Sequence, residues 1–247
     1  MGRVTNRDEA LPVAARTGTR LVHVFSEFMR EGETLRRHRV AEGTWRREYN
    51  TQDWLSCPVL ECMLSRNSRT ALGDARSLPF IRDLVEFGTS KARPTDIIVL
   101  TNDDTFFCSG LTYLILNRVP WCGAAFAFRW DFKRLARLDR PEIREGRKNM
   151  GADLFAFTGK WWLDHGNEYP DMLLGCETWD WIMRELIRLR GGVELFECIF
   201  HEKHSAFWAM HRLENVGNRH NRALACAWLH EHSLPCSIGS YSILNTE

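Results

Sequence analysis

Short runs of β-branched and aromatic residues alternate with segments of helical periodicity along this 247-residue chain, and this alternation constrains the fold most strongly. The apolar runs predict strands, at residues 20–25, 57–64, 95–100, 121–128, 152–158 and 193–200. Helical spacing with start and stop signals predicts helices, at residues 78–88, 110–119 and 179–190. Two polar segments also predict helix, residues 33–55 as a helix plus a loop and residues 205–232 with a break near Gly217. Such alternation is typical of a layered α/β domain with a mostly parallel sheet flanked by helices.

The length and composition predict one domain. Of the residues, 44% are hydrophobic and 26% charged, which is typical of a soluble globular protein. We expect residues 1–18 to be a disordered leader and residues 19–247 to form the domain, with a C-terminal helical segment. No apolar run is long enough for a membrane span or a secretory signal, so we expect a cytoplasmic protein.

Cysteines and net charge narrow the function classes. The eight cysteines include no C-x-x-C pair, and most lie in apolar runs, so we expect buried, reduced thiols and no zinc cage. The formal net charge of +1 argues against a strongly basic nucleic-acid-binding protein, although a local basic face remains compatible with it.

Ionisable side chains follow two predicted strands and lead into a predicted helix. The sequence TNDD follows the strand at residues 95–100, HEKH follows the strand at residues 193–200, and GCETWDW leads into the helix at residues 179–190. In parallel sheets ligands bind outside the carboxyl ends of the strands. We therefore expect these three clusters to lie at one edge of the sheet.

The TNDD and HEKH segments offer ligands for a divalent cation. An oxygen-rich turn containing Asn102, Asp103 and Asp104 suits a hard cation that holds a diphosphate, although the same residues also favour an Asx turn. His201 or His204 could complete a metal shell begun by Asp104. Their i, i+3 spacing differs from the i, i+4 spacing of zinc proteases, and a lone histidine is also commonly structural.

Two carboxylates at the mouth of the helix at residues 179–190 are candidates for a general base. Glu177 and Asp180 are three residues apart, and either one could take a proton from an attacking hydroxyl or cap the helix. Asp180 lies between Trp179 and Trp181, which would desolvate it and raise its pKa.

Other polar and aromatic residues could hold a nucleotide or a sugar. Asp74 and Arg76, in the segment GDAR, suit a ribose and a phosphate, or simply form a polar turn. Trp161 and Trp179 are either core residues or a stacking wall for a sugar or a base.

Together these segments resemble the GT-A glycosyltransferases, which have a Rossmann-like nucleotide-diphospho-sugar transferase fold. IIVLTNDD resembles the DxD motif and FHEKH the late metal-binding histidine, while GADLFAFTGKWW and LLGCETWDWIM resemble the acceptor-side segments. The resemblance spans roughly residues 20 to 208.

The resemblance implies that Asp104 coordinates Mn²⁺ or Mg²⁺, with His201, or failing that His204, as the late ligand. It makes Asp180 the base, with Glu177 as its rival, in the transfer of a sugar to an acceptor hydroxyl, with inversion if the displacement is direct. The donor would be a nucleotide-diphospho-sugar, with a UDP-sugar as our expectation, and its candidate contacts are Asp74, Arg76, Asn102, Asp103, Trp161 and Trp179. Asn102 departs from the family pattern, which often has Asp there.

The acceptor is open, and a hydroxymethylated DNA base is one candidate. A basic aromatic face could bind nucleic acid, formed by Arg36, Arg37, Arg39, Arg46 and Arg47 with Trp45. One alternative function is a metal-dependent nuclease or phosphohydrolase, with ions held by Asp103, Asp104, Glu177 and His201. Another is a catalytically degenerate module that only binds a nucleotide sugar.

Overall fold

An eight-stranded sheet forms the centre of the protein in a computed structural model that describes residues 18–26, 32–49, 54–57, 79–133, 146–204 and 216–236. Its strands are β1 (Leu21–Ser26), β2 (Trp54–Cys57), β3 (Ile97–Thr101), β4 (Phe106–Phe107), β5 (Ala124–Phe132), β6 (Arg147–Thr158), β7 (Val193–Leu195) and β8 (Ile199–Glu202). The helices are α1 (Gly32–Tyr49), α2 (Ile81–Thr89), α3 (Leu111–Cys122), α4 (Gly159–His165), α5 (Trp179–Leu189) and α6 (Val216–Glu231), with a 3₁₀ turn at Gly166–Glu168.

The strands follow the order β2-β1-β3-β6-β5-β8-β4, and β7 pairs with β5 beside β8. β1 is parallel to β2 and β3, and β5 is parallel to β7 and β8. β6 is antiparallel to β3 and β5, and β4 is antiparallel to β8. All the described strands except β4 and β6 therefore run in one direction. This confirms the prediction of a single α/β domain with a mostly parallel sheet flanked by helices.

β3 shows why a continuous apolar run forms a strand here. All five of its residues are buried, because helices cover both faces of the sheet. Ile98 and Leu100 pack into the core that includes α2, α5 and α6, while Ile97 and Val99 pack into the core that includes α1 and α3. The strand is fixed from both sides, so the polar residues that follow it start from a rigid position.

Two predicted strands differ from the structure. The strand predicted at residues 57–64 is observed only as β2, which ends at Cys57, and residues 58–64 lie outside the described residues. The strand predicted at residues 193–200 is two strands, β7 and β8, because Glu197 between them adopts a left-handed conformation with φ of 51°. His201 consequently lies within β8 and not after a strand.

The strands β5 and β6 extend further toward the polar edge of the sheet than predicted. They pair beyond Phe128 after a register shift, with Trp130 opposite Lys148 and Asp131 opposite Arg147. The charged residues of this region had little periodicity in the sequence, but the ladder of backbone hydrogen bonds holds them in extended strands. Arg129 and Asp131 are therefore strand residues.

The predicted environment of the cysteines holds only in part. Cys176 and Cys198 are buried, as expected. Cys226 and Cys236 are exposed, however, and their sulfur atoms lie 3.0 Å apart. The expectation of buried thiols is therefore wrong for this pair, because Cys226 lies on the outer face of α6.

The predicted leader, residues 1–18, falls outside the described residues except for Gly18, so its disorder stays a prediction. The second half of the predicted C-terminal helical segment is observed as α6, whereas residues 205–215 and the predicted break near Gly217 lie at or beyond the limit of the described residues. No helix among the described residues combines the length and the hydropathy that a membrane span requires.

Gly88 provides a test of the packing between α2 and β1. A Cβ atom at Gly88 would lie 2.4 Å from Cγ2 of Val24, whereas one at Gly43 in α1 would meet no atom within 4 Å. We expect Gly88→Ala to lower the free energy of unfolding by about 1–3 kcal/mol, because β-branched Val24 cannot move aside freely. The control Gly43→Ala should raise it by about 0.5–1 kcal/mol through helix propensity. Urea unfolding of both variants measures this, and an equal or higher stability of Gly88→Ala would contradict the packing.

Candidate active site

Polar side chains from four strands and one helix meet at one edge of the sheet. The carboxyl ends of β3, β5 and β8 lie at this edge because the three strands run in the same direction, and antiparallel β6 contributes its amino half. The amino end of α5 joins them, since the backbone N–H of Ala152 in β6 donates a hydrogen bond of 3.1 Å to Oδ2 of Asp180. The TNDD, HEKH and GCETWDW segments are thus at the same edge.

Asp104, His201 and His204 form a cluster that could hold a metal ion. Nε2 of His204 lies 2.9 Å and Nε2 of His201 lies 3.5 Å from Oδ2 of Asp104. One ligand atom from each of the three residues lies within 4.8 Å of the others. Two imidazoles and a carboxylate suit a transition metal such as Mn²⁺ better than Mg²⁺, which prefers oxygen ligands alone.

Charges within this cluster favour its ionised forms. Burial alone would raise the pKa of Asp104, but the neighbouring His201 and His204 hold it well below its usual value. Burial likewise disfavours a charged His201, yet Asp104 and Asp131 outweigh this effect and raise the pKa of His201 to about 9. A metal ion that binds here must displace the proton of His201, so binding releases a proton.

A second layer of charged residues surrounds the cluster. Nδ1 of His201 lies 3.0 Å from Oδ1 of Asp131, and Nε of Arg129 lies 3.1 Å from the same oxygen. Nη1 of Arg129 donates a hydrogen bond of 2.8 Å to Oδ2 of Asp153, which is buried. Arg129 therefore joins the carboxylate beside His201 to the carboxylate beside Asp180.

Asn102 belongs to this layer. Its Nδ2 donates a hydrogen bond of 3.0 Å to Oδ1 of Asp153, so the amide N–H group is engaged within the protein. The predicted contact of Asn102 with the donor sugar stays a prediction. An aspartate at position 102 would place two carboxylates in contact, which accounts for the asparagine.

Asp103 lies in the turn after β3 and is partly exposed. Its backbone carbonyl accepts a hydrogen bond of 2.9 Å from Nδ1 of His38 in α1, which fixes the turn. The predicted contact of Asp103 with the nucleotide sugar stays a prediction.

The two carboxylates before and within α5 have different environments. Asp180 is half-buried, and its pKa is raised by burial and by the charge of Asp153. Glu177 instead forms an ion pair with Arg222 of α6, whose Nε lies 2.7 Å from Oε2 of Glu177. The raised pKa expected for Asp180 is present, and the negative charge of Asp153 contributes to it in addition to burial. The ion pair of Glu177 is typical of a structural carboxylate.

The two predicted tryptophans of the sugar site are core residues. Trp161 and Trp179 are 5% and 4% exposed and pack against Phe157 and Phe155. Trp161 also follows the carboxyl end of antiparallel β6, which places it at the opposite edge of the sheet from Asp104. The assignment of both side chains to a stacking wall is corrected, since neither offers a ring face to a ligand.

The remaining predicted contacts are only partly within the described residues. Asp74 and Arg76 lie outside them, so their role stays a prediction. Trp45 is fully buried, and its indole N–H donates to the carbonyl of Thr105. The predicted basic aromatic face is therefore wrong in its aromatic part. Of its arginines, Arg36 and Arg46 form ion pairs with Glu202 and Glu42.

Arg129, Asp131, Asn149 and Asp153 were missed by the sequence analysis. The signal was the alternation in the segment RWD, which places Arg129 and Asp131 on one face of a strand that continues past Phe128. The pairing of Asn102 with Asp153 joins residues 51 apart in the chain, and no local pattern indicates it.

Exchange of the two partners tests the hydrogen bond between Asn102 and Asp153. We expect Asn102→Asp to lower the free energy of unfolding of the metal-free protein by about 1–3 kcal/mol, because two carboxylates then meet in a buried site. Adding Asp153→Asn should restore most of the loss, since the new amide can donate to position 102 and accept from Arg129. Urea unfolding of the single and double variants decides the matter, and a double variant no more stable than Asn102→Asp would count against this pairing.

Comparisons with known proteins find likeness among solved structures. The sequence matches no protein family model and no curated protein. Among solved structures, the chain is similar to 4-diphosphocytidyl-2C-methyl-D-erythritol synthase from Anaerococcus prevotii. The two chains are 12% identical with a TM-score of 0.40, and the match covers 86% of this chain and 99% of that chain.

Proposed function

We propose that this protein is a metal-dependent glycosyltransferase that moves a sugar from a nucleotide-diphospho-sugar, with a UDP-sugar as the expected donor, to an acceptor hydroxyl. The observation that carries the proposal is the convergence of Asp104, His201 and His204 at the carboxyl edge of a mostly parallel sheet. A half-buried carboxylate, Asp180, belongs to the same edge. These residues come from the segments IIVLTNDD, FHEKH and LLGCETWDWIM, which resemble those of GT-A glycosyltransferases.

Asp104, His201 and His204 would hold the divalent cation, with Mn²⁺ preferred to Mg²⁺ because a transition metal accepts imidazole ligands more readily than Mg²⁺ does. When bound, the cation neutralises the negative charge that develops on the departing nucleoside diphosphate. The chain contributes rigidity to this site. Asp104 follows a strand that is buried on both faces, and His201 lies within β8, so two of the ligands are held by strands of one sheet.

Asp180 would act as the general base. It takes the proton of the acceptor hydroxyl as that oxygen attacks the anomeric carbon, and a direct displacement of this kind inverts the configuration. A raised pKa makes this carboxylate a better proton acceptor than an exposed one. The N–H of Ala152 holds Oδ2 of Asp180, which fixes the orientation of the carboxyl group.

The alternatives have less support. A nuclease or phosphohydrolase would need Glu177 among its metal ligands, but Glu177 is paired with Arg222. A degenerate binding module would not need the half-buried carboxylate of Asp180 at the same edge of the sheet. A hydroxymethylated DNA base stays one candidate acceptor, to be screened with other hydroxyl compounds.

Two substitutions separate the predicted roles in donor binding and in catalysis. Asp104→Asn should abolish the Mn²⁺-dependent part of UDP binding, because it removes a charged ligand. Asp180→Asn should leave UDP binding unchanged and slow the hydrolysis or transfer of the sugar by about 10²–10⁴-fold, because it removes the base. Isothermal titration with UDP, with Mn²⁺ or EDTA, and UDP release from a panel of UDP-sugars measure the two effects.

The matched control is Asp164→Asn, which neutralises an exposed carboxylate of α4 that is paired only with Lys160 in the described ion pairs. It should behave as wild type in both assays. UDP binding that is equally strong in EDTA, or normal turnover by Asp180→Asn, would refute the proposal. Cleavage of plain DNA without binding of UDP would replace it with the nuclease.

A further inference from the structure

We propose that Asp131 is a positioning residue that accepts the Nδ1 proton of His201 and thereby turns Nε2 of that ring toward Asp104 and the metal ion. The inference rests on the proposed metal site and deepens it. It makes His201 the ligand whose orientation the protein fixes before any metal binds. Asp131 itself would touch neither the metal nor the substrate.

The register of the sheet places the two residues side by side. Asp131 of β5 and His201 of β8 are partners in a parallel pair, so their side chains project from the same face. Nδ1 of His201 lies 3.0 Å from Oδ1 of Asp131, while Nε2 on the other side of the ring lies 3.5 Å from Oδ2 of Asp104. The imidazole thus spans the gap between the strand carboxylate and the candidate metal ligand.

Asp131 is held as an acceptor. Nε of Arg129 lies 3.1 Å from its Oδ1, and Nδ2 of Asn149 lies 2.6 Å from its Oδ2, so the group is the carboxylate partner of a guanidinium and faces donors at both oxygens. An ionised carboxylate only accepts hydrogen bonds. Nδ1 of His201 must therefore carry the proton, and in the neutral ring the lone pair is then on Nε2, where a metal can bind.

Asn149 fixes the orientation of the Asp131 carboxylate. Nδ2 of Asn149 donates a hydrogen bond of 2.6 Å to Oδ2 of Asp131, and Oδ1 of Asn149 accepts one of 2.8 Å from the N–H of Gly151. The amide cannot flip without losing the bond to Gly151. Oδ2 of Asp131 is thereby engaged by Asn149, and Oδ1 is left to His201 and Arg129.

The two histidines of the cluster differ in how the fold holds them. The His201 side chain is 8% exposed and lies within β8, whereas that of His204 is 29% exposed and lies two residues beyond the strand. A ligand that is oriented in advance loses less conformational entropy when the metal binds. We therefore assign the larger part of the metal affinity to His201.

Three variants distinguish orientation by Asp131 from its charge. Asp131→Leu removes the acceptor at similar volume. In Asp131→Asn alone, an amide oxygen turned toward His201 leaves the new NH₂ group facing Nδ2 of Asn149, so two donors meet. Combining Asp131→Asn with Asn149→Asp restores a donor and an acceptor there, keeps an oxygen for Gly151, and directs the amide oxygen at position 131 toward His201. The double variant keeps the geometry and moves the negative charge to the next strand.

Each variant is measured twice, once without metal and once with Mn²⁺. The imidazole N–H resonances of protein labelled with ¹⁵N-histidine, assigned with His201→Gln, report the proton on Nδ1 in the metal-free state. Electron paramagnetic resonance of free Mn²⁺ gives the Kd. We expect Asp131→Leu to lose the resonance and to weaken Mn²⁺ binding about 10–100-fold, and the double variant to recover the resonance and most of the affinity.

Each contrary result has a separate meaning. Wild-type affinity in Asp131→Leu, or weak binding by a double variant that shows the resonance, would overturn the role in positioning. Absence of the resonance from wild type would overturn the hydrogen bond. If Asp131→Leu does not fold, as judged by circular dichroism, Asp131→Asn takes its place with an expected loss that the double variant reverses. Failure of wild type to bind Mn²⁺ would refute the proposed function, and with it the metal half of the inference.

Discussion

The half-buried guanidinium of Arg129 makes the contacts on which the polar edge of the sheet depends. It lies between Asp131 and Asp153, at 3.1 Å and 2.8 Å. Desolvation disfavours its charge, but these carboxylates and the nearby Asp180 outweigh this effect and raise its pKa. Carboxylates gathered at one edge repel one another and lose part of their hydration, and the charge of Arg129 offsets both costs. Arg129 allows the site to keep an ionised Asp131 beside His201 and a less acidic carboxyl group at Asp180.

Different neighbours give two carboxyl groups at this edge of the sheet opposite pKa shifts. The histidines lower the pKa of Asp104, which favours the ionised form that a metal requires. Burial and Asp153 raise the pKa of Asp180, which favours the acceptance of a proton. A transferase needs both kinds of carboxyl group, one for the cation that neutralises the leaving group and one for the attacking hydroxyl. The proposed function therefore follows from the distribution of charge as much as from the fold.

Local patterns were enough to predict much of the fold. The continuous apolar run of β3 reflects burial on both faces of the strand, and the helical periodicity of α5 reflects burial of one helix face. Both patterns are visible in neighbouring residues of the sequence. The clusters at the ends of β3 and β8 could also be found, because parallel strands bring their carboxyl ends together. Sequence patterns could not show that Glu177 pairs with Arg222, 45 residues away, or that Asp131 lies beside His201, 70 residues away. These contacts depend on strand order and register. Trp161 and Trp179 were ambiguous because aromatic side chains serve cores and binding sites equally well.

The central claim is that Asp104, His201 and His204 hold one divalent cation at this edge of the sheet. Crystals grown with Mn²⁺ and UDP, measured at the manganese absorption edge, test it directly. We expect one anomalous peak within bonding distance of the Asp104 carboxylate and of Nε2 of both histidines. A peak elsewhere in the protein, or UDP bound at this edge without any peak, would contradict it.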